Sequence, residues 1–442
     1  MANPTTPHDQ ASSGPKWSSK FAFLMAAIGV AVGLGNLWRF PFQTGANGGS
    51  AFVIIYLVCV ALIAWPILMG EIAIGRRKGL SAVGSPRELA KDVGASPMWG
   101  VIGIVAIVAN MFILTTYCFI AGQVMSYSVM AFMGVFANHD PAATLPLFHG
   151  TILPVVWFTG FLVLTMLVVA RGLHGGIERI VTTLMPVFFV LLVGLSIFAL
   201  SIGAADKAFA YLFTPRFDLV TPSTVLAALG QAFFSIAIGA GAMITYGAYL
   251  ERKENIPANA GIIACADTLV AIIAGLMIFP VVFAFGLDPA AGMGLIFEAL
   301  PVTFSGMSGG AIIGGLFFFL AFIAALTSSI SMLMIPAVVF EEWRGWSRRQ
   351  SVMILGGIVW LVGVSSTQIP HLAENIDFVV GNILLPLGGL LGALFVGWVV
   401  PREIMRDEFH NASDRLFGVW RFLIRYLAPI AVGSILVFGL MG

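Results

Sequence analysis

"AVGLGNLWRF", residues 31–40, interrupts an apolar run otherwise long enough to cross a bilayer. Two glycines flank a leucine, an asparagine follows at once, and an arginine stands three residues further on. Glycine weakens a helix by about 1 kcal/mol relative to alanine, and a charge at membrane depth is costly. A span holding both in its middle needs partners for the backbone groups it fails to pair, because lipid supplies none. The stretch therefore reads as a membrane helix broken near its midpoint.

Composition supplies the setting. Of 442 residues, 59% are hydrophobic and 10% charged, with a mean hydropathy of +0.99. A soluble domain carries about 25% charged residues, so the chain reads as an all-α, polytopic protein of the lipid bilayer. The net charge of +1 leaves no footprint for nucleic acid. Cys59, Cys118 and Cys265 all lie in apolar runs, with neither a disulfide framework nor a metal-ligand spacing. Residues 1–15, polar and rich in Pro, Ser and Thr, read as a disordered tail rather than a signal peptide.

At about 20 residues per span, about eleven spans fit the chain: 20–44, 48–75, 98–132, 151–170, 176–202, 223–250, 258–287, 309–340, 351–367, 372–400 and 418–441. Several exceed the minimum, which implies tilt or interruption. One set of loops holds Lys16, Lys20, Arg76, Arg77, Lys78, Arg87, Lys91, Arg171, Arg179, Arg252, Lys253, Arg344, Arg348, Arg349, Arg402, Arg406 and Arg415, and the other only Lys207 and Arg216. By the excess of positive charge the amino terminus is cytoplasmic, in a plasma (inner) membrane. The odd span count puts the carboxyl terminus outside.

"AVGLGN" in the first span has an echo in "AIGAGA", residues 237–242, in the sixth. If spans 1–5 (residues 16–202) and 6–10 (203–400) form two halves, the pairs correspond, and an odd number per half gives the halves opposite topology. Residues 401–442 then add a loop and an extra helix. Paired glycine-interrupted segments in inverted halves point to a transporter site at the membrane midplane. The plainer alternative is close helix packing through small residues. A nucleotide-binding role for the glycines lacks its strand and βαβ context. Carbonyls freed by a break can hold a cation, and the amino end of the second half-helix faces an anion. Asp267, deep in "IIACADTLVAIIAG", is an intramembrane acid, functional unless it is part of a structural ion pair. Thr327, Ser328 and Ser329 are adjacent hydroxyls in an apolar span; their alternative is bonding back to the preceding turn.

"WSSKFAFLMAAIGVAVGLGNLWRFPF" (17–42), "ANGGSAF" (46–52), "GQAFFSIAIGAGAMITYGAYL" (230–250) and "AALTSSIS" (324–331) resemble the neurotransmitter:sodium symporters, particularly their bacterial amino-acid members. The likeness runs from Trp17 to about Gly397. It implies two inverted five-helix repeats with broken helices 1 and 6. It also implies two sodium ions and no organic cofactor. At the first sodium site it puts the carbonyl of Ala31 with Asn36, Ser235 and Asp267. At the second it puts carbonyls of Gly29, Val32 and Ala324 with the hydroxyls of Thr327 and Ser328. All-oxygen sets suit a hard cation. The implied substrate pocket holds Val30, Ala31, Leu34, Gly35, Ile113, Tyr117, Phe234, Ser235, Ala237, Ala240, Ser328 and Met332. Gly33 replaces the aspartate of monoamine carriers, which indicates a substrate bearing its own carboxylate, for which Tyr117 is a donor and Phe234 a lid. Ala240 and Ala237 stand where other members carry phenylalanine and serine, which favours bulky apolar or aromatic side chains; Val30 argues against the largest ring.

The resemblance further implies an outer gate of Arg39 with Asp377, against the alternative of an interfacial arginine. Glu71 matches an acid that braces the unwound segments, or is an interfacial acid. Trp17 and Tyr249 match inner-gate positions, but Gly14 stands where an arginine is usual and Glu342 where an aspartate is, leaving Lys16 as the substitute cation. Gly176 and Pro186 match a spacing that lets helix 5 unwind; the alternative is a simple kink at Pro186, which frees the Thr182 carbonyl. Tyr56, Gln231 and Ser235 match three chloride-coordinating positions, but the fourth is Ala271, and Asp267 supplies fixed negative charge nearby. The expectation is chloride-independent sodium symport of an amino acid, with proton return. Oligomeric state is not legible. The rivals are a membrane-embedded enzyme and a sodium-gated receptor or channel. No catalytic constellation supports the first, and none of His139, His149, His174 or His371 is expected near a paired acid.

Overall fold

The computed structural model describes residues 15–138, 152–290, 292, 294–366, 369 and 371–441. His139, His149 and nearly all of the expected tail lie outside this set. The described residues are helical wherever they are regular. The helices in chain order are α1 (Lys20–Ala31) and α2 (Gly35–Ala46), bent by 49° at their junction, then α3 (Ser50–Lys78), α5 (Pro97–Phe132), α6 (Leu153–Ala170) and α7 (Leu173–Leu200), with a short α4 (Gly84–Asp92) before α5. The second half holds a short α8 (Ala205–Phe213), then α9 (Pro222–Ser235) and α10 (Ala242–Ala248). It continues through α11 (Ile256–Ala284), a short α12 (Leu295–Ser305), α13 (Gly310–Arg344), α14 (Arg348–Ser366) and α15 (Leu372–Val399). A short α16 (Arg402–Glu408) and α17 (Asp414–Gly439) complete the chain.

Nine of these helices are long and apolar enough to cross a membrane, and the α1–α2 pair makes ten. The α9–α10 pair, 14 and 7 residues, is too short to span as either piece alone. Counted together across residues 236–241 it gives the eleven spans expected. Helices α4, α8, α12 and α16 fill segments that read as loops. They are short, and apolar periodicity over eleven residues or fewer does not stand out within a chain this hydrophobic.

The longest helices form the frame. α13 lies along α5, α6 packs beside α5, and α7 runs against α11. α1 is enclosed by α7, α11 and α13, while α10 lies on α3. Both broken pairs therefore sit at the centre, and their interruptions meet the frame from inside. Side chains that would be costly in lipid are packed there: Asn36, Asp267, Gln231, Thr327, Ser328 and Asn110 are all buried.

Candidate functional site

Two interruptions build the site. α1 closes with the Val32 N–H on the Ile28 carbonyl at 2.6 Å, and α2 begins as a wide turn over Gly35–Arg39. The glycines between are demanded by close approach. A Cβ on Gly33 would lie 2.8 Å from Ser328 Oγ and 3.2 Å from Tyr117 Oη, and one on Gly35 would lie 2.9 Å from the Phe234 ring. In the second interruption Ala237, Gly239 and Gly241 take φ of 54°, 78° and 70°. A Cβ on Gly239 would strike the Leu385 carbonyl of α15. Its N–H donates to Glu71 Oε1 at 2.8 Å, so a buried acid on α3 satisfies a backbone group that the break leaves free.

Asp267 of α11 is fully buried between the two breaks (0% exposed). It accepts from Asn36 Nδ2 at 2.7 Å, from Ser235 Oγ at 2.8 Å and from Tyr56 Oη at 3.3 Å. Every one of these partners is neutral. A buried carboxylate without a cationic side chain is strongly disfavoured, and the oxygens gathered here suit a hard cation. The Asn36 amide is turned so that its nitrogen faces Asp267, while its Oδ1 accepts the Gly33 N–H at 3.0 Å. Rotation of the amide by half a turn presents the oxygen instead.

Some way along α13, a second oxygen cluster forms. Ser328 Oγ lies 3.2, 3.4 and 3.3 Å from the carbonyls of Gly29, Val30 and Val32. Thr327 Oγ1 lies 3.1 Å from the Ala324 carbonyl. One hydroxyl proton faces three carbonyls at the frayed end of α1. The surplus of acceptors over donors fits a cation.

Between the interruptions lies a cavity of about 50 Å³. Of the expected pocket residues, Val30, Leu34, Gly35, Ile113, Tyr117, Phe234, Ala237, Ala240, Ser328 and Met332 line it. Ala31 and Ser235 do not; both are buried, and Ser235 is turned to the Asp267 carboxylate. The Tyr117 hydroxyl sits close to Ser328 and the Leu34 backbone without a well-formed hydrogen bond. Asn110 of α5 also lines the cavity and was not singled out from the sequence. The signal was present: it is an amide in an apolar span, seven residues before Tyr117 and hence on the same helical face.

The gates depart from expectation. Arg39 and Asp377 form no ion pair among the described residues. The Arg39 guanidinium instead lies over the Phe234 ring, 4.4 Å from its centroid, a cation–π contact that desolvation strengthens. Asp377 is exposed. A wider cavity of about 250 Å³ opens beside Arg39, between α9, α15 and α17. At the other end Trp17 is buried (6% exposed). Its backbone N–H donates to the Tyr249 carbonyl at 3.2 Å, and its indole N–H to the Tyr246 carbonyl at 3.1 Å. Glu342 does not meet Lys16. It accepts the Ser81 N–H at 2.7 Å and so caps the loop before α4. An ion pair of Arg348 with Glu341 stands at this end, adjacent to Tyr249.

Gly176 lies in a wide turn over Leu173–Glu178. Pro186 lies inside the helix that continues over Arg179–Leu200, unbroken in this structure. Tyr56 and Ser235 both bond the Asp267 carboxylate, taking the donors an anion would need. The expectation about histidines is corrected. His174 bonds Glu178 at 2.7 Å and His371 bonds Glu374 at 2.8 Å, one turn apart in each case, as short helical spacings place them. The Ser18 hydroxyl bonds Glu178 rather than the His174 ring, so serine, imidazole and acid do not form the ordered relay of a nucleophilic site. No cluster of His, Cys, Asp and Glu able to hold a metal occurs among the described residues.

Comparisons with known proteins agree with this architecture. The family model of the sodium:neurotransmitter symporter family matches residues 14–141 and 151–442. An uncharacterised sodium-dependent transporter of Bacillus subtilis, YhdH, is 34% identical over 94% of this chain and 96% of its own length. A second, from Haemophilus influenzae, is 30% identical over 94% and 96%. The crystal structure of MhsT in complex with L-phenylalanine superimposes with a TM-score of 0.88 at 38% identity, covering 96% of this chain and 99% of that one. The chain with the buried carboxylate, the two interrupted helices and the oxygen clusters belongs to the sodium:neurotransmitter symporter family, and is a sodium-coupled membrane transporter rather than an enzyme.

Proposed function

We propose that this transporter carries a hydrophobic or aromatic amino acid inward with sodium, by alternating access between the Arg39 end and the Trp17 end. The observation that carries the reading is Asp267, fully buried with three neutral partners beside the break in the first span. Sodium supplies the missing positive charge when bound, with Ala31, Asn36 and Ser235 as its neighbours. The cluster of Gly29, Val32, Ala324, Thr327 and Ser328 takes a second ion. The substrate carboxylate lies against the α2 amino end, within reach of Tyr117. Its side chain fills the largely apolar cavity, with Phe234 and Arg39 as the lid. No aspartate at Gly33 competes for the amine.

Alternating access then follows from which end is sealed. Trp17 plugs one end, while Arg39 stands apart from Asp377. Drawing these two together closes the outer path, and withdrawing Trp17 opens the inner one. The amino terminus lies on the cytoplasmic side of the plasma membrane, and the two five-span halves, 16–202 and 203–400, rock about the site. Asp267 occupies the donors that a chloride would require, so transport does not need chloride. Once sodium leaves, the Asp267 carboxylate lacks a counter-charge, and a proton takes the place of the ion as the empty carrier returns.

Uptake of labelled amino acids into proteoliposomes tests the proposal. Uptake driven by an inward sodium gradient, unchanged when gluconate replaces chloride and faster with an acidic lumen, is the expected result. Sodium-independent uptake, or none for any of the twenty amino acids, overturns it.

A further inference from the structure

Four side chains bring polar atoms to the largely apolar substrate cavity, and the Tyr117 hydroxyl, without a well-formed bond, stands at the corner assigned to the substrate carboxylate. Ser331 Oγ meets Tyr246 Oη at 2.6 Å and the Thr327 carbonyl at 3.2 Å, and Ser328 is engaged with the α1 carbonyls. Asn110 differs. Its Nδ2 donates to the Ala106 carbonyl of its own helix and to the Ala240 carbonyl of the second interruption, both at 2.7 Å. Amide oxygen and nitrogen are assigned from their surroundings, and here the assignment is forced. Both neighbours are carbonyls, which only the nitrogen can satisfy, and its two protons are then used. The oxygen is left over. No group among the described residues donates to Asn110 Oδ1, although the residue is 1% exposed and lines the cavity.

The position of Asn110 sets what it can read. It lies seven residues from Tyr117, about 10 Å along the helix, so it stands at the far end of the cavity from the Gly33–Tyr117–Ser328 corner. A substrate anchored there by its carboxylate directs its side-chain tip toward Asn110. The tip meets an acceptor with no donor capacity. A leucine or phenylalanine tip leaves that acceptor buried and unpaired, whereas an indole N–H or a phenolic O–H satisfies it.

We propose that Asn110 Oδ1 reads the tip of the substrate side chain and selects aromatic amino acids whose ring carries a hydrogen-bond donor, tryptophan and tyrosine, over phenylalanine and leucine. This rests on the amino-acid reading above and names the substrate class within it. A purely structural Asn110, tying α5 to the second interruption, would affect all substrates alike.

The test compares ring isosteres on the full-length transporter in detergent, with sodium present. Tryptophan is set against 3-benzothienyl-L-alanine, which replaces the indole N–H by sulfur, and tyrosine against phenylalanine. The donor-bearing member of each pair is expected to compete for bound label at about five- to tenfold lower concentration, the worth of one neutral hydrogen bond. In Asn110→Leu the two ratios should fall to about one. The wild-type comparison stands even if that variant fails to fold. Equal competition within both pairs overturns the role of Asn110 while leaving amino-acid transport intact. Failure of every amino acid to bind overturns both readings together.

Discussion

Asp267 and Arg39 are both charges at membrane depth, and the structure gives them opposite solutions. Asp267 is surrounded by neutral donors, so removing its charge removes what a cation would balance. Asp267→Asn should keep an oxygen at the site yet weaken sodium binding at least tenfold and abolish proton counter-movement, read by sodium titration of substrate binding and by a pH dye in liposomes. Proton movement retained by that variant would remove Asp267 from the return step. Arg39 rests on Phe234 and bonds none of those oxygens among the described residues. Arg39→Ala should leave sodium affinity within about twofold and reduce uptake severely; uptake at the wild-type rate would show that Arg39 is no gate. Asp267 was legible in the sequence because a lone acid in an apolar run has few explanations. The Arg39–Phe234 contact was not, because the resemblance supplies a partner, and sequence does not tell which of two nearby partners a long side chain prefers. Asn110 went unread for a related reason: a single amide in a span more often bonds the preceding turn, as one of its two protons does here.

At the scale of elements, the two interruptions were legible and the devices that hold them open were only partly so. Glycine pairs and Asn36 announced the breaks. The supports come from elsewhere in the chain: Glu71 on α3 bonds Gly239, and α15 brings the Leu385 carbonyl against the same residue. Contacts between residues so distant in the chain leave no local pattern. Glu71→Gln keeps an acceptor for the Gly239 N–H and should bind substrate nearly as wild type does. Glu71→Ala leaves that N–H unpaired, a loss of about 1–3 kcal/mol, and should lower both the melting temperature and substrate affinity. Equal behaviour of the two variants would show that the bond does not brace the segment. Gly239→Ala adds left-handed strain of about 1–2 kcal/mol to a collision with backbone, and should abolish binding in a size-exclusion-purified sample.

Across the whole molecule, the Trp17 end is fastened by two different means. Arg76 at the foot of α3 is buried with Glu408 of α16 at 2.8 Å and also donates to the Glu254 carbonyl at 2.6 Å. Arg77 and Arg252 converge on the neighbouring Asp407. Burial acts against ionisation of Asp407, but bonds from Arg252 and Arg77 outweigh it and hold its carboxyl below the usual aspartate value. Its contribution is therefore complete above the unfolded aspartate value and fades as pH falls through the lower folded one. Breaking the buried pair by Arg76→Ala should cost about 3–5 kcal/mol, seen as a lower melting temperature, while Arg76→Met with Glu408→Leu recovers most of it. The Trp17 plug works on another principle. Two hydrogen bonds and ring contacts with Phe23, Tyr246 and Tyr249 must all be given up for that end to open. They bias the resting population rather than the chemistry of the site. A substrate that binds only the Trp17-closed form sees its dissociation constant divided by the fraction of molecules in that form. Trp17→Ala should thus weaken apparent substrate affinity from a distance, with every binding residue untouched, and a conformation-locking crosslink across that end should restore it. What reads as affinity in this carrier is in part a census of its conformers, set by one indole at the far end of the molecule.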